Sequence, residues 1–133
     1  MLEIIQCYCL NGGLAFAECG GLMYLGNEII SSEGSNFPMA SVLDCTTSME
    51  NSKLTLGYRT IQWDKMELKG HEFHYSRLIE NDLEPEYVIV KNAKGIEVQT
   101  QLFRKLNTFA SYVHLYWGER FEFIEYLLKN FAS

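Results

Sequence analysis

The N-terminal residues carry an apolar pattern that changes from helical to strand-like and back to helical. Residues 2–10 place apolar side chains on one side at helical spacing, and Asn11-Gly12-Gly13 can end that helix. The apolar residues 14–17 then predict a strand that is buried on both faces. A second helix is predicted from Gly20 to about Ile30, so the pattern indicates helix, strand and helix in succession.

The middle of the chain is rich in strand patterns. Pro38–Leu43 predicts a short strand, and the polar residues 44–52 that follow it predict a turn. Further along, apolar and polar residues alternate, with many β-branched and aromatic side chains, as is typical of strands. The strands predicted from this alternation are Lys53–Ile61, Glu67–Ser76, Tyr87–Lys91 and Ile96–Phe103, with turns at 63–65 and 92–95.

The C-terminal part predicts one more extended segment and a final helix. Phe109–Trp117 reads as a strand or an extended loop, and Glu119–Phe131 as an amphipathic helix. We expect an α/β fold with few parallel strands, because each parallel connection needs a crossover helix and few helices are available. The apolar face of the final helix is predicted to consist of Phe121, Ile124, Leu127, Leu128 and Phe131.

The composition narrows the classes of function. With 47% hydrophobic and 21% charged residues, residues 1–133 are expected to form one ordered domain. A net charge of −6 and the lack of a Lys/Arg run argue against a nucleic-acid partner. No apolar run approaches the roughly 20 residues that span a bilayer and no secretion signal is recognisable, so we expect no membrane association and a cytoplasmic location. The cysteines should then be reduced, and their spacing predicts no metal site.

The sequence Glu18-Cys19-Gly20-Gly21 marks the candidate chemistry. A cysteine between a buried strand and a helix occupies the position of a nucleophile at a sharp strand-to-helix turn. The positive end of the helix would favour the thiolate form. The alternative is a cysteine that acts as a small buried hydrophobic residue near a turn.

A cysteine nucleophile needs a base or an ion-pair partner, and histidine is the usual one. The chain offers His71, His74 and His114. His71 and His74 are three residues apart on a predicted strand, so their side chains point to opposite faces and cannot both face Cys19. The pattern alone leaves the choice of histidine open.

Four segments resemble the glutaminase motifs of the cobyrinic acid a,c-diamide synthases. These segments are Ala17–Leu25, Leu56–Arg59, Gly70–Ser76 and Ala110–His114, and they occur in the order found in the family. Each is several residues long and none is of low complexity. The resemblance extends from about Ala15 to Trp117 and therefore covers most of the chain.

The resemblance implies a partial flavodoxin-like, three-layer class I glutamine amidotransferase fold whose N-terminal strands are missing. It implies that Cys19 is the nucleophile and His114 the general base of a glutaminase. Tyr116 stands where amidotransferases with a full triad carry a carboxylate, and where relatives often carry a histidine. The other site residues that it implies are Gly20 and Gly21 at the oxyanion, and His71, Glu72 and His74 in orienting His114 or binding glutamine.

The resemblance also implies partners. Glutamine is the expected substrate, and an ATP-binding synthetase domain is expected before the glutaminase. No phosphate-binding loop is recognisable, so no cofactor is expected in this chain, and ATP and magnesium are assigned to the missing synthetase domain. The family's upstream glycine-rich loop is not recognisable either, which predicts a poor glutaminase in isolation. An uncovered edge of the 14–17 strand would make a homodimer possible.

Three other functions stay open from the sequence. The first is the glutaminase of another tetrapyrrole amidotransferase, such as a nickel-sirohydrochlorin diamide synthase. The second is a different hydrolase that uses the same cysteine turn. The third is an inactive remnant or an interaction module.

Overall fold

Short strands account for most of the regular structure in residues 1–132, the part that the structure, a computed structural model, describes. The helices are α1 (Leu2–Leu10), α2 (Gly20–Leu25) and α3 (Phe121–Phe131), and a 3₁₀ turn spans Trp117–Glu119. The strands are β1 (Ala15–Glu18), β2 (Glu28–Ile30), β3 (Asn36–Pro38), β4 (Cys45–Ser48), β5 (Thr55–Trp63), β6 (Met66–His74), β7 (Arg77–Asn81), β8 (Val88–Asn92), β9 (Leu102–Lys105), β10 (Thr108–Ser111) and β11 (His114–Leu115).

The central sheet has the order β1-β10-β9. β1 and β10 are parallel, with Ala15 opposite Thr108 and Glu18 opposite Ser111, and β10 and β9 are antiparallel. Among the described residues β1 pairs on one side only, and most of it is half-buried, so the expectation of a strand buried throughout is wrong for this chain. β2 and β4 form the other parallel pair of the described region, as expected for a fold with few parallel strands.

The sheet β11-β6-β5-β8 carries the histidines. β5 and β6 are nine residues each and form a hairpin that turns at Asp64, whose φ is 53°. β11 pairs with β6 through His114 opposite His71 and Leu115 opposite Gly70. A Cβ atom at Gly70 would overlap the carbonyl of His114, so only glycine allows β11 to lie this close.

Two apolar clusters cover the opposite faces of the central sheet. Ala17 and Ala110 belong to one cluster, together with residues of α1 and α2, whereas Phe16 and Phe109 belong to the other, together with α3. Neighbouring residues of a strand point to opposite faces, so the alternation along β1 and β10 produces this division. α1 and α2 thus pack on one face of this sheet and α3 on the other, and both clusters also include residues of the other two sheets, such as Cys45 and Ile61.

The predicted second helix is shorter than expected. α2 ends at Leu25, because Gly26 is extended and the chain continues directly into β2. The residues predicted to form a strand at Pro38–Leu43 instead cap this helix, since the N–H groups of Val42 and Leu43 both donate to the carbonyl of Leu25 at 2.9 and 2.8 Å. An apolar run that closes a helix end has the same sequence appearance as a buried strand.

The segments 44–52 and 96–103 also differ from the structure predicted for them. The segment 44–52, predicted to be a turn, contains β4, which is buried along its whole length between β2 and β7. The predicted turn at 92–95 is present. The segment Ile96–Phe103 that follows it, predicted to be a strand, joins β8 only through isolated contacts, such as the Val98 N–H to Val90 carbonyl bond of 2.9 Å. Regular pairing resumes only at β9.

The buried face of α3 differs from the predicted face. Phe123 and Leu127 are buried, whereas Phe121 and Leu128 are exposed. Phe123 packs against Trp63 with ring centroids 4.9 Å apart and against Trp117 at 5.7 Å. None of the helices in the described region has the length and apolarity to cross a membrane.

The orientation of α3 gives a direct stability test. Phe123 is 1% exposed and Phe121 is 68% exposed, although both lie in the first turn of the same helix. Phe123→Ala should lower the free energy of unfolding by about 3–5 kcal/mol because it leaves a cavity among aromatic rings. The matched change Phe121→Ala should alter it by about 0.5 kcal/mol or less in urea denaturation. The reverse order of the two effects would contradict the orientation described here.

Candidate active site

Cys19 lies in a strained turn between β1 and α2. Its φ of 49° and ψ of −105° fall in a region that non-glycine residues seldom adopt. The turn is held on both sides, because the Cys19 N–H donates to the Ser111 carbonyl at 2.8 Å and its carbonyl accepts from the Met23 N–H at 3.3 Å. A Cβ atom at Gly21 would lie 3.3 Å from that of Ala17, so glycine permits close packing of helix on strand. This is the strand-to-helix turn that the sequence predicted.

The surroundings of Cys19 favour the thiol over the thiolate. Burial raises the pKa of Cys19, and the charges of Glu72 and Glu18 raise this pKa further, while the backbone N–H of Gly20 lowers it. The helix start therefore acts on the pKa of Cys19 in the expected direction, but burial and the two carboxylates outweigh it and the net direction is upward. The Sγ atom lies 3.8 Å from the Phe73 carbonyl, which can accept the thiol proton.

His114 follows closely in the chain on the strand that holds the backbone of Cys19, and it lies on a second sheet, in β11. β10 ends at Ser111, which accepts the hydrogen bond of Cys19, and His114 begins the next strand three residues later. The rings of His114 and His71 stack with centroids 5.0 Å apart and an interplanar angle of 17°. The ring of Tyr116 lies 5.7 Å from that of His71.

His74 lies in a different environment from His71, as the spacing predicted. Its ring stacks on Tyr112 at 3.8 Å with an interplanar angle of 12°. Its Nδ1 atom is 2.9 Å from the Ser76 carbonyl, and its Nε2 atom is 2.9 Å from Oε2 of Glu72. The side chain is therefore held by contacts at both nitrogens and on one face.

Glu72 is a buried carboxylate at the centre of a charged group. It is 2% exposed, and its Oε1 atom accepts a hydrogen bond of 2.9 Å from Nε of Arg59. Burial raises the pKa of Glu72, but hydrogen bonds from His74, Thr100 and Arg59 and the Arg59 charge outweigh it and hold the pKa below its ordinary value. Glu72 is therefore ionised at neutral pH.

A hydroxyl contact joins the nucleophile helix to the segment before His114. The Ser76 Oγ atom is 3.0 Å from the Tyr112 hydroxyl and donates to the Met23 sulfur at 3.2 Å. Burial raises the pKa of Tyr112 to about 12, so this hydroxyl stays protonated. Sequence reasoning gave no role to these residues, although Ser76 and Tyr112 both lie within the segments that carried the resemblance.

Sequence reasoning also missed Glu18. Its Oε1 atom accepts hydrogen bonds from the Leu115 N–H at 2.9 Å and from Nε1 of Trp117 at 2.8 Å. The position directly before the nucleophile was visible in the sequence, but the distant partners were not.

Two cavities open beside the histidines. The larger, of about 800 Å³, is lined by Arg59, Glu72, His74 and Tyr112 among others. The smaller, of about 350 Å³, lies beside the β5–β6 hairpin and is lined by residues that include His71, Glu72 and Tyr116. Within residues 1–132 no three His, Cys, Asp or Glu side chains are grouped so that they could bind a metal ion.

The likeness to a solved structure concerns the fold. The crystal structure of a glutamine amidotransferase aligns with 96% of this chain and 66% of its own chain, with a TM-score of 0.54 and 18% identity. The mixed α/β architecture is thus compatible with a partial class I glutamine amidotransferase fold. Residues 1–121 match the CobB/CobQ-like glutamine amidotransferase domain, and the chain belongs to that family.

Three similar proteins carry the name of an a,c-diamide synthase. The cobyrinate a,c-diamide synthase of Synechococcus sp. is 36% identical over 98% of this chain, and that of Leptospira interrogans is 33% identical over 89%. The hydrogenobyrinate a,c-diamide synthase of Brucella ovis is 34% identical over 79% of this chain. The chain spans only 25–29% of the length of these relatives.

The buried charge of Glu72 predicts a pH-dependent contribution to stability. Glu72→Ala should lower the free energy of unfolding by about 3–5 kcal/mol near pH 7, because Arg59 would stay buried without its partner. A carboxylate whose folded-state pKa is lowered stabilises above its unfolded pKa of about 4.3, and this stabilisation is lost as the pH falls through the folded value.

The difference between wild type and Glu72→Ala should therefore be constant above about pH 5.5 and shrink below about pH 4. Urea denaturation across this pH range measures it. Glu67→Ala, an exposed glutamate on the same strand β6, is the matched control and should change stability by about 0.5 kcal/mol or less. A difference that did not depend on pH would contradict the ionised, paired state of Glu72.

Proposed function

We propose that this chain is the glutaminase portion of a cobyrinate a,c-diamide synthase, which hydrolyses glutamine and supplies ammonia for amidation of a corrinoid. The observation that carries the proposal is the strained turn at Cys19, tied through Ser111 to the segment that bears His114. Membership of the glutamine amidotransferase domain family and the names of the similar proteins support the choice of reaction.

In the proposed first half-reaction, Cys19 attacks the side-chain amide carbon of glutamine. Because the resting group is a thiol, His114 must remove the proton as the sulfur–carbon bond forms. The backbone N–H of Gly20 is proposed to donate to the oxyanion. Gly21, which has no side chain, lets α2 pack closely on β1 at this point. The carbon–nitrogen bond then breaks, His114 returns the proton to the leaving nitrogen, and ammonia departs from a glutamyl thioester.

In the second half-reaction, His114 accepts a proton from water as its oxygen attacks the thioester carbon. The carbon–sulfur bond breaks, the thiol of Cys19 regains its proton, and glutamate leaves. The cycle balances, because one glutamine and one water give one glutamate and one ammonia.

The remaining site residues are proposed to support this dyad. His71 restricts the ring of His114 by stacking on it. Glu72 and His74 line the larger cavity, where they are proposed to help to bind glutamine. Within residues 1–132 neither side chain hydrogen-bonds to His114, so we propose substrate binding as their role.

The acceptor half of the reaction is proposed from the relatives. They are named for amidation of cobyrinate or of hydrogenobyrinate, so a corrinoid carboxylate is the proposed acceptor of the ammonia. ATP and magnesium, which would activate this carboxylate, are proposed to act in the synthetase region that lies outside the matched part of the relatives. No step of glutamine hydrolysis in this chain uses them.

Substitution of the proposed dyad tests the glutaminase. Cys19→Ala should reduce glutamate release to background, and His114→Asn should reduce kcat by about 10²–10⁴-fold, the usual contribution of a general base. His71→Asn should leave a measurable rate, because His71 acts only through its neighbour. Cys7→Ser, an exposed cysteine on α1, is the matched control and should change the rate by about twofold or less.

Glutamate release from labelled glutamine measures these rates. The proposal of a glutaminase fails if the Cys19→Ala variant releases glutamate as fast as the wild type. Addition of the synthetase region of the Synechococcus relative, ATP, magnesium and each corrinoid then tests the acceptor. Amidation of neither cobyrinate nor hydrogenobyrinate would refute the corrinoid half of the proposal while leaving the hydrolysis half intact.

A further inference from the structure

Glu18 joins the end of the nucleophile strand to the segment that carries the proposed base. It is the last residue of β1 and directly precedes Cys19. Its Oε1 atom accepts two hydrogen bonds, from the Leu115 N–H at 2.9 Å and from the indole Nε1–H of Trp117 at 2.8 Å. Leu115 is the residue immediately after His114.

The hydrogen bond to Leu115 satisfies a donor that the sheet cannot use. β11 has only two residues and pairs with β6 alone. The next N–H along the chain, that of Tyr116, donates to the Lys69 carbonyl on β6 at 2.9 Å. Because N–H groups alternate in direction along a strand, the Leu115 N–H points away from β6 and towards Glu18. Without Glu18 this N–H, in a residue that is 9% exposed, would lack its partner.

The contact to Trp117 is supported by packing from the same strand. Phe16, two residues before Glu18, meets the Trp117 ring edge to face at 4.9 Å. Trp117 in turn stacks on Phe123 of α3 at 5.7 Å. Glu18 and Phe16 lie on one face of β1 and hold both the indole N–H and the indole ring, so the segment after His114 is fixed relative to β1.

We propose that Glu18 is a positioning residue that fixes His114 relative to Cys19 through the Leu115 N–H and the Trp117 indole. The proposal rests on the function proposed above, because it assigns Glu18 a role in that reaction. Glu18 acts on the backbone next to His114 rather than on its ring. Glu18 thus restrains the segment that carries His114 from strand β1. Within that segment itself, Tyr116 stands where a full triad would have a carboxylate.

Electrostatics argue that Glu18 does not serve to activate the thiol. Its charge, like that of Glu72, raises the pKa of Cys19, and burial acts in the same direction. A carboxylate at this position therefore opposes formation of the thiolate. Its favourable contribution lies in the two hydrogen bonds, which are stronger to a charged acceptor than to a neutral one.

Two substitutions of Glu18 separate the effect of its charge from the effect of its hydrogen bonds. Glu18→Gln retains an oxygen that can accept both hydrogen bonds, whereas Glu18→Ala removes the acceptor, and both remove the charge. Glu18→Ala should lower kcat for glutamate release at least tenfold with KM within about threefold, and Glu18→Gln should keep kcat within about threefold. Glu122→Ala, an exposed glutamate on α3, is the control for loss of a carboxylate.

Two measurements do not depend on turnover. Hydrogen exchange of the Trp117 Nε1–H, followed by NMR, should be at least tenfold faster in Glu18→Ala and within about threefold of wild type in Glu18→Gln. The rate of alkylation of Cys19 by iodoacetamide should reach its midpoint at a lower pH in both variants, because both remove a charge that raises the pKa of Cys19.

The outcomes are distinct. Unchanged indole exchange in Glu18→Ala overturns the proposal, and so does faster exchange with an unchanged kcat. A lower kcat in Glu18→Gln while the Trp117 Nε1–H still exchanges slowly also overturns the proposal. In that case the charge of Glu18, and not its hydrogen bonds, would support the rate. If Glu18→Ala does not fold, Trp117→Phe, which removes one of the two donors, takes its place and should lower kcat while Glu18→Gln does not.

Absence of turnover in the wild type would refute the proposed function but not the restraint itself. In that case the ring Cε1–H signal of His114 reports on the restraint directly. It should be single in wild type and Glu18→Gln, and broadened or doubled in Glu18→Ala. A single sharp signal in all three proteins would overturn the positioning role.

Discussion

The parallel pairing of β1 with β10 is the constraint on which the site depends. It places the Cys19 N–H against the Ser111 carbonyl at 2.8 Å and thereby supports a backbone conformation that a cysteine would not adopt on its own. β10 then leads within three residues to His114. One ladder thus fixes both the strained turn of the nucleophile and the start of the segment that carries the proposed base.

The charged side chains around the site favour the protonated thiol of Cys19 over its thiolate. Glu72 is buried and paired with Arg59 and His74, and its charge together with burial raises the pKa of Cys19. A thiol that is protonated at rest is protected from adventitious oxidation and alkylation. In this account the proton moves only when a substrate and His114 are both in place, so the reactivity of Cys19 depends on geometry more than on its surroundings.

The sequence predicted those elements that depend on local signals and missed those that depend on contacts with distant segments. The turn at Cys19 and the β5–β6 hairpin were predictable, because apolar runs, glycines and alternation are local signals. β4 was not predictable, because a polar segment with threonines and serines is buried only through its neighbours β2 and β7.

The face of α3 and the role of Glu18 were missed for the same reason. Phe123 is buried because it packs against Trp63, which is 60 residues earlier in the chain, as well as against the nearby Trp117. The partners of Glu18 lie 97 and 99 residues further along the chain. The resemblance supplied Cys19 and His114 together with supporting residues on β6, but it did not point to Glu18.

Detection of the covalent intermediate tests the central claim most directly. The protein is mixed with glutamine, quenched in acid within milliseconds to seconds, digested and examined by mass spectrometry. The account predicts a glutamyl thioester on Cys19 and on no other cysteine, and predicts that glutamate or an acid blank produces none. Glutamine turnover without any adduct on Cys19, or an adduct on Cys7, Cys9 or Cys45, would contradict the account.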